Sequence, residues 1–236
     1  MGEVNCEGRA PREINAEIKQ QIHQGDTHIR ILNPGARHNL GVAILKPVTL
    51  QLDGSVGYYC GGLIDGANFE VAGSAGWGLA ESMMNGLVVV RGSAGNGAAA
   101  AIRGGTVVIH GNAAARLGIS MKGGTVLVAG NCGYMAGFMA QKGTLIVCGD
   151  TGEAFADSMY QTVCFVGGKI AELGTDAVIE AATAEDAESL DSLLAQYLDP
   201  EERKKLPPGR EFKKVVAGRK LWNFDKREWK TWQEAL

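Results

Sequence analysis

Aromatic residues are scarce in this 236-residue chain, at 6%. Large rings therefore cannot fill the core, and small or branched side chains must do so. No stretch of 18 consecutive apolar residues occurs, which excludes a membrane-spanning helix. The N-terminal MGEVNCEGRAPREIN has no apolar run and does not read as a signal peptide. Cys6 stands where N-myristoylation needs Ser or Thr. Basic charge is not in excess: 23 Lys and Arg face 26 Asp and Glu, for a formal net charge of -3. A nucleic-acid surface is not expected from that balance. The five cysteines (Cys6, Cys60, Cys132, Cys148, Cys164) form no C-x-x-C pair and are odd in number. That argues against a disulfide framework and a cysteine-only metal cluster. Reduced, mostly buried thiols fit a cytoplasmic protein. The histidines, His23, His28, His38 and His110, show no zinc-type spacing.

Glycine, by contrast, is abundant, with 34 residues. Written in rows of 19, the chain aligns Gly35, Gly54, Gly73, Gly92, Gly111, Gly130, Gly149 and Gly168 in one column. Three residues on come Gly57, Gly76, Gly95, Ala114, Gly133 and Gly152. A third column holds Gly86, Gly105, Gly124 and Gly143, but fails at Ala67, beside Gly66, and at Thr162. Short β-rich runs recur between them: FEVA, VVVR, VVIH, VLVA, LIVC and CFVG.

Apolar columns mark the inward side. Leu52, Val71, Val90, Ile109, Val128, Val147 and Val166 form one column. Leu50, Phe69, Val88, Val107, Val126, Leu145 and Cys164 form another, two residues earlier. A spacing of two puts both on one face of a strand. Ile64, Met83, Ile102, Met121, Ala140 and Met159 make a further, mostly apolar file. Gly61, Ala80, Ala99, Gly118, Gly137 and Ala156 form a file of only Gly and Ala, where a close backbone approach is expected.

A period of 19 is too short for a helical hairpin repeat or a propeller blade. It suits one coil of a parallel β-helix, with short strands joined by glycine corners and a rise of about 4.8 Å per coil. The chain thus reads as all-β: a right-handed, single-stranded β-solenoid with helical caps. The corner glycines (Gly54, Gly73, Gly92, Gly111, Gly130, Gly149) supply either φ > 0 or tight backbone passage. Residues 28–174 form the coils, 1–27 an N-terminal segment with a capping helix, and 175–236 a helical and extended docking tail. The N-terminal helix is read from Ile14, Ile18 and Ile22, with a stop at Gly25. In the tail, Thr183 caps a helix that aligns Leu190, Leu193, Leu194 and Leu198. The last 26 residues carry Trp222, Trp229 and Trp232 and either fold back on the rod or dock on a partner.

Other motifs point to little chemistry. Gly95-x-Gly97-x-x-Ala100 resembles a dinucleotide loop, but Gly104-Gly105 arrives too soon for the helix such a loop needs. Asp150, Glu153 and Asp157 share one coil and read as solvated corner residues. His110 is expected to face outward, two coils from the equivalent Cys148, so the two are not an adjacent catalytic pair.

The row pattern G-x-x-G…G-G-x-V-x-V-x-G resembles the C-terminal β-helix (GXGXG) domain of the glutamate synthase large subunit. INAEIKQQIHQGDTHIRILNPGARHNLGVAI, DGSVGYYCGGL, ISMKGGTVLVAGNCGYMAGFMAQKGTLIVCGD and FKKVVAGRKLWNF are similar to its stand-alone form in glutamate-synthase-like complexes, including N-methylglutamate synthase. The resemblance covers about residues 12–224 and excludes the last dozen. The glycine frame alone is also similar to the β-helix subunit of formylmethanofuran dehydrogenase. The resemblance implies a non-catalytic scaffold subunit in a hetero-oligomer that binds no cofactor or metal itself. It implies two partners: a type II glutamine amidotransferase-like subunit and a glutamate synthase-like subunit carrying FMN and iron–sulfur clusters. Asn33, Arg37 and His38 near the first coil, and Arg219, Lys220 and Trp222 in the tail, are the candidate partner contacts. Alternative readings are a formylmethanofuran-dehydrogenase-like subunit and an independent solenoid enzyme.

Overall fold

The computed structural model describes residues 2–218. Nine strands stack in parallel in chain order: β1 (Gly2–Asn5), β2 (His28–Leu32), β3 (Thr49–Asp53), β4 (Asp65–Val71), β5 (Asn85–Val90), β6 (Thr106–Ile109), β7 (Lys122–Val128), β8 (Lys142–Val147) and β9 (Gln161–Val166). The register follows the 19-residue period, with Val88, Val107, Val126, Leu145 and Cys164 paired in sequence. A second stacked side is a column of single parallel bridges through Val56, Ala75, Ala94, Ala113, Cys132, Thr151 and Ile170. The parallel β-solenoid expected from the repeat is therefore the observed fold. Both inward strand columns, and the Ile64-to-Met159 file, are buried.

The third side of each coil is neither strand nor helix. Its residues alternate in hand: Gly97, Ala99 and Ala101 have φ of +68°, +57° and +54°. Alternation flips successive peptide groups, so backbone donors point up and down the rod in turn. Gly97 donates to Ala115 O of the next coil at 2.9 Å, Ala99 to Leu79 O of the previous coil at 2.8 Å, and Ala101 to Ile119 O at 2.8 Å. The same three columns repeat this pattern from Tyr59 to Ser158. This explains the Gly/Ala file differently from the expected close approach. A Cβ on Gly61 would meet Phe69 only at an ordinary 3.6 Å. The left-handed backbone, not crowding, favours small residues there.

At the corner glycines the reverse holds. Gly54 has φ of +151°, but Gly73, Gly92, Gly111, Gly130 and Gly149 do not need positive φ. A Cβ on any of these five would overlap the coil below, where a polar side chain from Ser55, Ser74, Ser93, Asn112 or Asn131 rises past it. Those side chains form a ladder: Ser74 N donates to Ser55 Oγ at 3.0 Å, Asn131 N to Asn112 Oδ1 at 2.8 Å, and Lys169 N to Asp150 Oδ1 at 2.6 Å. In the third glycine column, Gly66 (φ +83°) does what Ala67 cannot, across a register shift between Asp65 and Ala67.

Both ends of the stack are covered. Helix α1 (Pro11–His23) starts with Pro at its first position, and Glu13 Oε2 accepts from Ala10 N at 3.3 Å. It buries Ile14 and Ile18, and Gly25 follows its end with φ +100°. In later coils, the residue equivalent to Gly41 donates its N–H to the previous coil, as Gly61 does to Leu40 O. Gly41 has no previous coil, and Asn15 of α1 takes its place. Its Oδ1 accepts from Gly41 N at 2.8 Å and its Nδ2 donates to Asn39 O at 2.7 Å. One side chain thus imitates a missing turn.

At the far end, β10 (Ala177–Glu180) leads into α2 (Ala184–Tyr197) and α3 (Pro200–Arg203), and the chain returns as β11 (Lys213–Ala217). Strand β11 lies antiparallel between β9 and β10 and ends the parallel stack. Thr183 caps α2 as expected: its Oγ1 accepts from Asp186 N at 3.1 Å, and Asp186 Oδ2 accepts from Thr183 N at 2.8 Å. Leu190, Leu194 and Leu198 then bury against Val108, Leu127, Ile146 and Phe165 on the outer face of the sheet. The first part of the tail therefore packs back on the rod.

Candidate interaction surfaces

The expected contacts near the first coil divide into two kinds. Arg37 is half-buried and turned inward. Its Nε donates to Arg9 O at 3.2 Å, and its Nη1 donates to Asn33 O and Pro34 O at 3.1 Å each. Asn33 is exposed, and its Nδ2 donates to Asn5 Oδ1 at 3.1 Å. Both residues tie the first coil to the segment that follows β1. Their bonds describe an internal clamp.

His38 differs. Its Nδ1 accepts from Tyr58 N at 2.9 Å, so in the neutral ring the proton lies on Nε2. The ring stacks on Tyr58 with centroids 4.4 Å apart and planes 22° apart. Tyr58 in turn stacks on Trp77 at 5.2 Å and 13°. Tyr58 is 47% exposed and Trp77 55%. The coil rise creates the ladder: Tyr58 and Trp77 occupy one column, 19 residues apart. His38 lies 20 residues before Tyr58, because the first coil is one residue longer. The ladder was missed in the sequence, although its column was open to inspection. Arg219, Lys220 and Trp222 lie outside the described residues.

A polar cluster sits where α3 meets the sheet. His110 faces outward, as its strand position predicts, and α3 covers it. His110 Nδ1 lies 2.8 and 3.0 Å from the two Glu202 carboxylate oxygens, and Nε2 lies 3.2 Å from Arg91 Nη1. Arg91 Nη1 also reaches Asp199 Oδ2 at 3.4 Å. His110, Asp199 and Glu202 could each offer an atom to a cation, all within 4.8 Å of one another. Arg91 argues against that use. A guanidinium can only donate, so Nε2 must accept and Nδ1 must carry the proton toward Glu202. A cation at Nδ1 would strip the ring of both protons. The cluster is a latch that fastens α3 to the coil ends.

All five cysteines are buried and unpaired. Burial pushes the Cys60, Cys132 and Cys148 thiols up to about 12, with the Glu202 charge adding to the effect at Cys148. Burial also raises Cys6 and Cys164. Thiols held so high are poor nucleophiles and poor soft ligands near neutral pH. No helix among the described residues is long and apolar enough to cross a membrane.

Fold and surface define a class: a parallel β-solenoid, covered at both ends, that presents a stacked aromatic ladder at one corner of its coils. No family model matches the chain. It is 53% identical over 216 residues to "Protein GlxC" of Rhizobium meliloti (strain 1021), spanning 91% of this chain and 92% of that protein. The chain belongs to the GlxC family.

Proposed function

We propose that this chain is a non-catalytic assembly subunit of a glutamate-synthase-type complex, making glutamate or N-methylglutamate. It holds a type II amidotransferase-like subunit and an FMN and iron–sulfur synthase-like subunit in register around a route for ammonia or amine. The resemblance over residues 12–224 supports the complex type. The stack supports the scaffold role, because hydrogen bonds join successive coils on all three sides. Coupled sites that pass a diffusible intermediate need a fixed separation, and such a rod flexes little.

The observation that carries the reading is the His38–Tyr58–Trp77 ladder. Half-exposed, pre-stacked rings lose little side-chain entropy on binding, and such anchors dominate contact energies. The decisive experiment co-produces this chain with its two candidate partners. We expect a three-subunit complex whose glutamine-dependent synthesis fails when Tyr58 and Trp77 are both changed to Ala, while each partner keeps its half-reaction. Turnover by this chain alone would overturn the scaffold role. Undiminished coupling without the chain would do the same. Molybdenum or tungsten in place of FMN in the native complex would favour the formylmethanofuran-dehydrogenase-like alternative.

A further inference from the structure

We propose that residues 219–236 dock within the same chain on an apolar patch of the left-handed side. The patch comprises Tyr134, Met135, Phe138 and Met139. Tyr134 and Met139 are 47% and 39% exposed, and the other two are half-buried. Methionine sulfur and aromatic edges suit indole rings, and flexible methionines adapt to them. The inference concerns this chain alone and does not depend on the proposed function.

Three observations select this occupant. The first is where the chain leaves the described fold. Gly218 N donates to Asp176 O at 2.6 Å. Asp176, Asp157 and Phe138 share a 19-residue column, so the exit stands two coils, about 10 Å, above the patch. The second is composition. The following segment, RKLWNFDKREWKTWQEAL, holds three of the four tryptophans, plus Leu221, Phe224 and Leu236. The third is charge. Along the column beyond Tyr134 stand Glu153 and Glu172, both exposed, at the end where the chain exits. The segment opens with Arg219 and Lys220 and carries five basic against three acidic residues. The Tyr58–Trp77 ladder is five coils from the Glu172 end, and its surroundings lack that acidic flank. A tethered segment meets the nearer surface at higher effective concentration.

The test uses the full chain carrying Trp77→Phe, so that Trp222, Trp229 and Trp232 supply all tryptophan emission. The expected result is blue-shifted emission, protected from acrylamide, with protection unchanged on dilution. Met135→Glu with Met139→Glu should remove the protection, and Glu153→Lys with Glu172→Lys should reduce it. Met84→Glu, on a distant exposed residue, should leave it intact. Methyl-labelled methionine gives a second readout: in the parent chain, the Met139 resonance should show ring-current displacement that Trp222→Ala, Trp229→Ala or Trp232→Ala relieves. Emission quenched as freely as a short tryptophan peptide would overturn the proposal. So would protection that disappears on dilution, which would mark a second copy as the occupant.

Discussion

Replacing Gly111 by Ala tests the reason given for the corner glycines. An added Cβ would lie 2.6 Å from Ser93 Oγ, 2.7 Å from Gly92 O and 2.8 Å from Gly92 C. Two of these atoms are backbone, so no side-chain rotation removes the overlap. The coils must separate locally by roughly half an ångström, against hydrogen bonds from Gly111 N to Gly92 O (2.9 Å) and from Gly130 N to Gly111 O (3.1 Å). Overpacking of this kind costs about 1–3 kcal/mol. Loss of the Asn112 N to Ser93 Oγ bond adds about 1 kcal/mol. The expected destabilisation is about 2–4 kcal/mol, a fall in Tm of roughly 5–15 °C for a chain of this size. Urea and thermal unfolding measure it. The control is Gly97→Ala, where φ is +68° and nothing lies within 4 Å. That change carries only the left-handed backbone cost, about 1–2 kcal/mol. Adding Ser93→Gly to Gly111→Ala should recover part of the loss, because it deletes the nearest clashing atom. The reasoning fails if Gly111→Ala proves as stable as the parent, or if Gly97→Ala is the worse of the two.

Two further outcomes follow from the ends of the rod. Asn15→Ala should cost about 1–3 kcal/mol, since Gly41 N and Asn39 O both lose a partner, and hydrogen exchange at Gly41 should rise first. Asp186→Asn should flatten the acid limb of stability. The Lys214 ammonium, 2.7 Å away, is the main cause holding the Asp186 carboxyl below its ordinary range, and Thr183 assists. Its contribution is therefore present above the unfolded carboxylate value and is lost as pH falls through the lower folded one. Acid titration of the midpoint in both proteins reads this directly.

The coils were legible because a stacked repeat writes its contacts as columns, and a column of Val or Ile needs no knowledge of distant sequence. Features that depend on two columns at once were harder to read. The serine and asparagine ladder was hidden, because Ser93 and Gly111 are 18 residues apart and each looks like an ordinary turn residue. The three left-handed positions were hidden because Tyr59, Arg116 and Met135 occupy some of them, and side-chain type does not announce that conformation. Strand β1 was missed, being four residues long and only intelligible once β2 lies beside it. The outer cover could have been foreseen. Position 51 and its equivalents read Gln51, Glu70, Val89, Val108, Leu127, Ile146, Phe165: polar where the sheet faces solvent, apolar where α2 lies across it.

That change along one outward column gives the rod a direction. Its first coils present polar strands and the aromatic ladder. Its later coils spend their outer face on α2, with Arg91 and His110 marking where the cover is latched. A repeat in which every coil were equivalent could bind a partner at any register, since each coil would offer the same surface about 4.8 Å further on. Here the columns differ where it matters for position. Tyr58 and Trp77 are followed by Asn96 and Ala115, so the stacked rings end after Trp77 and cannot be matched one coil along. Uniform inward columns make the rod stiff, and non-uniform outward columns fix where along it another protein can sit.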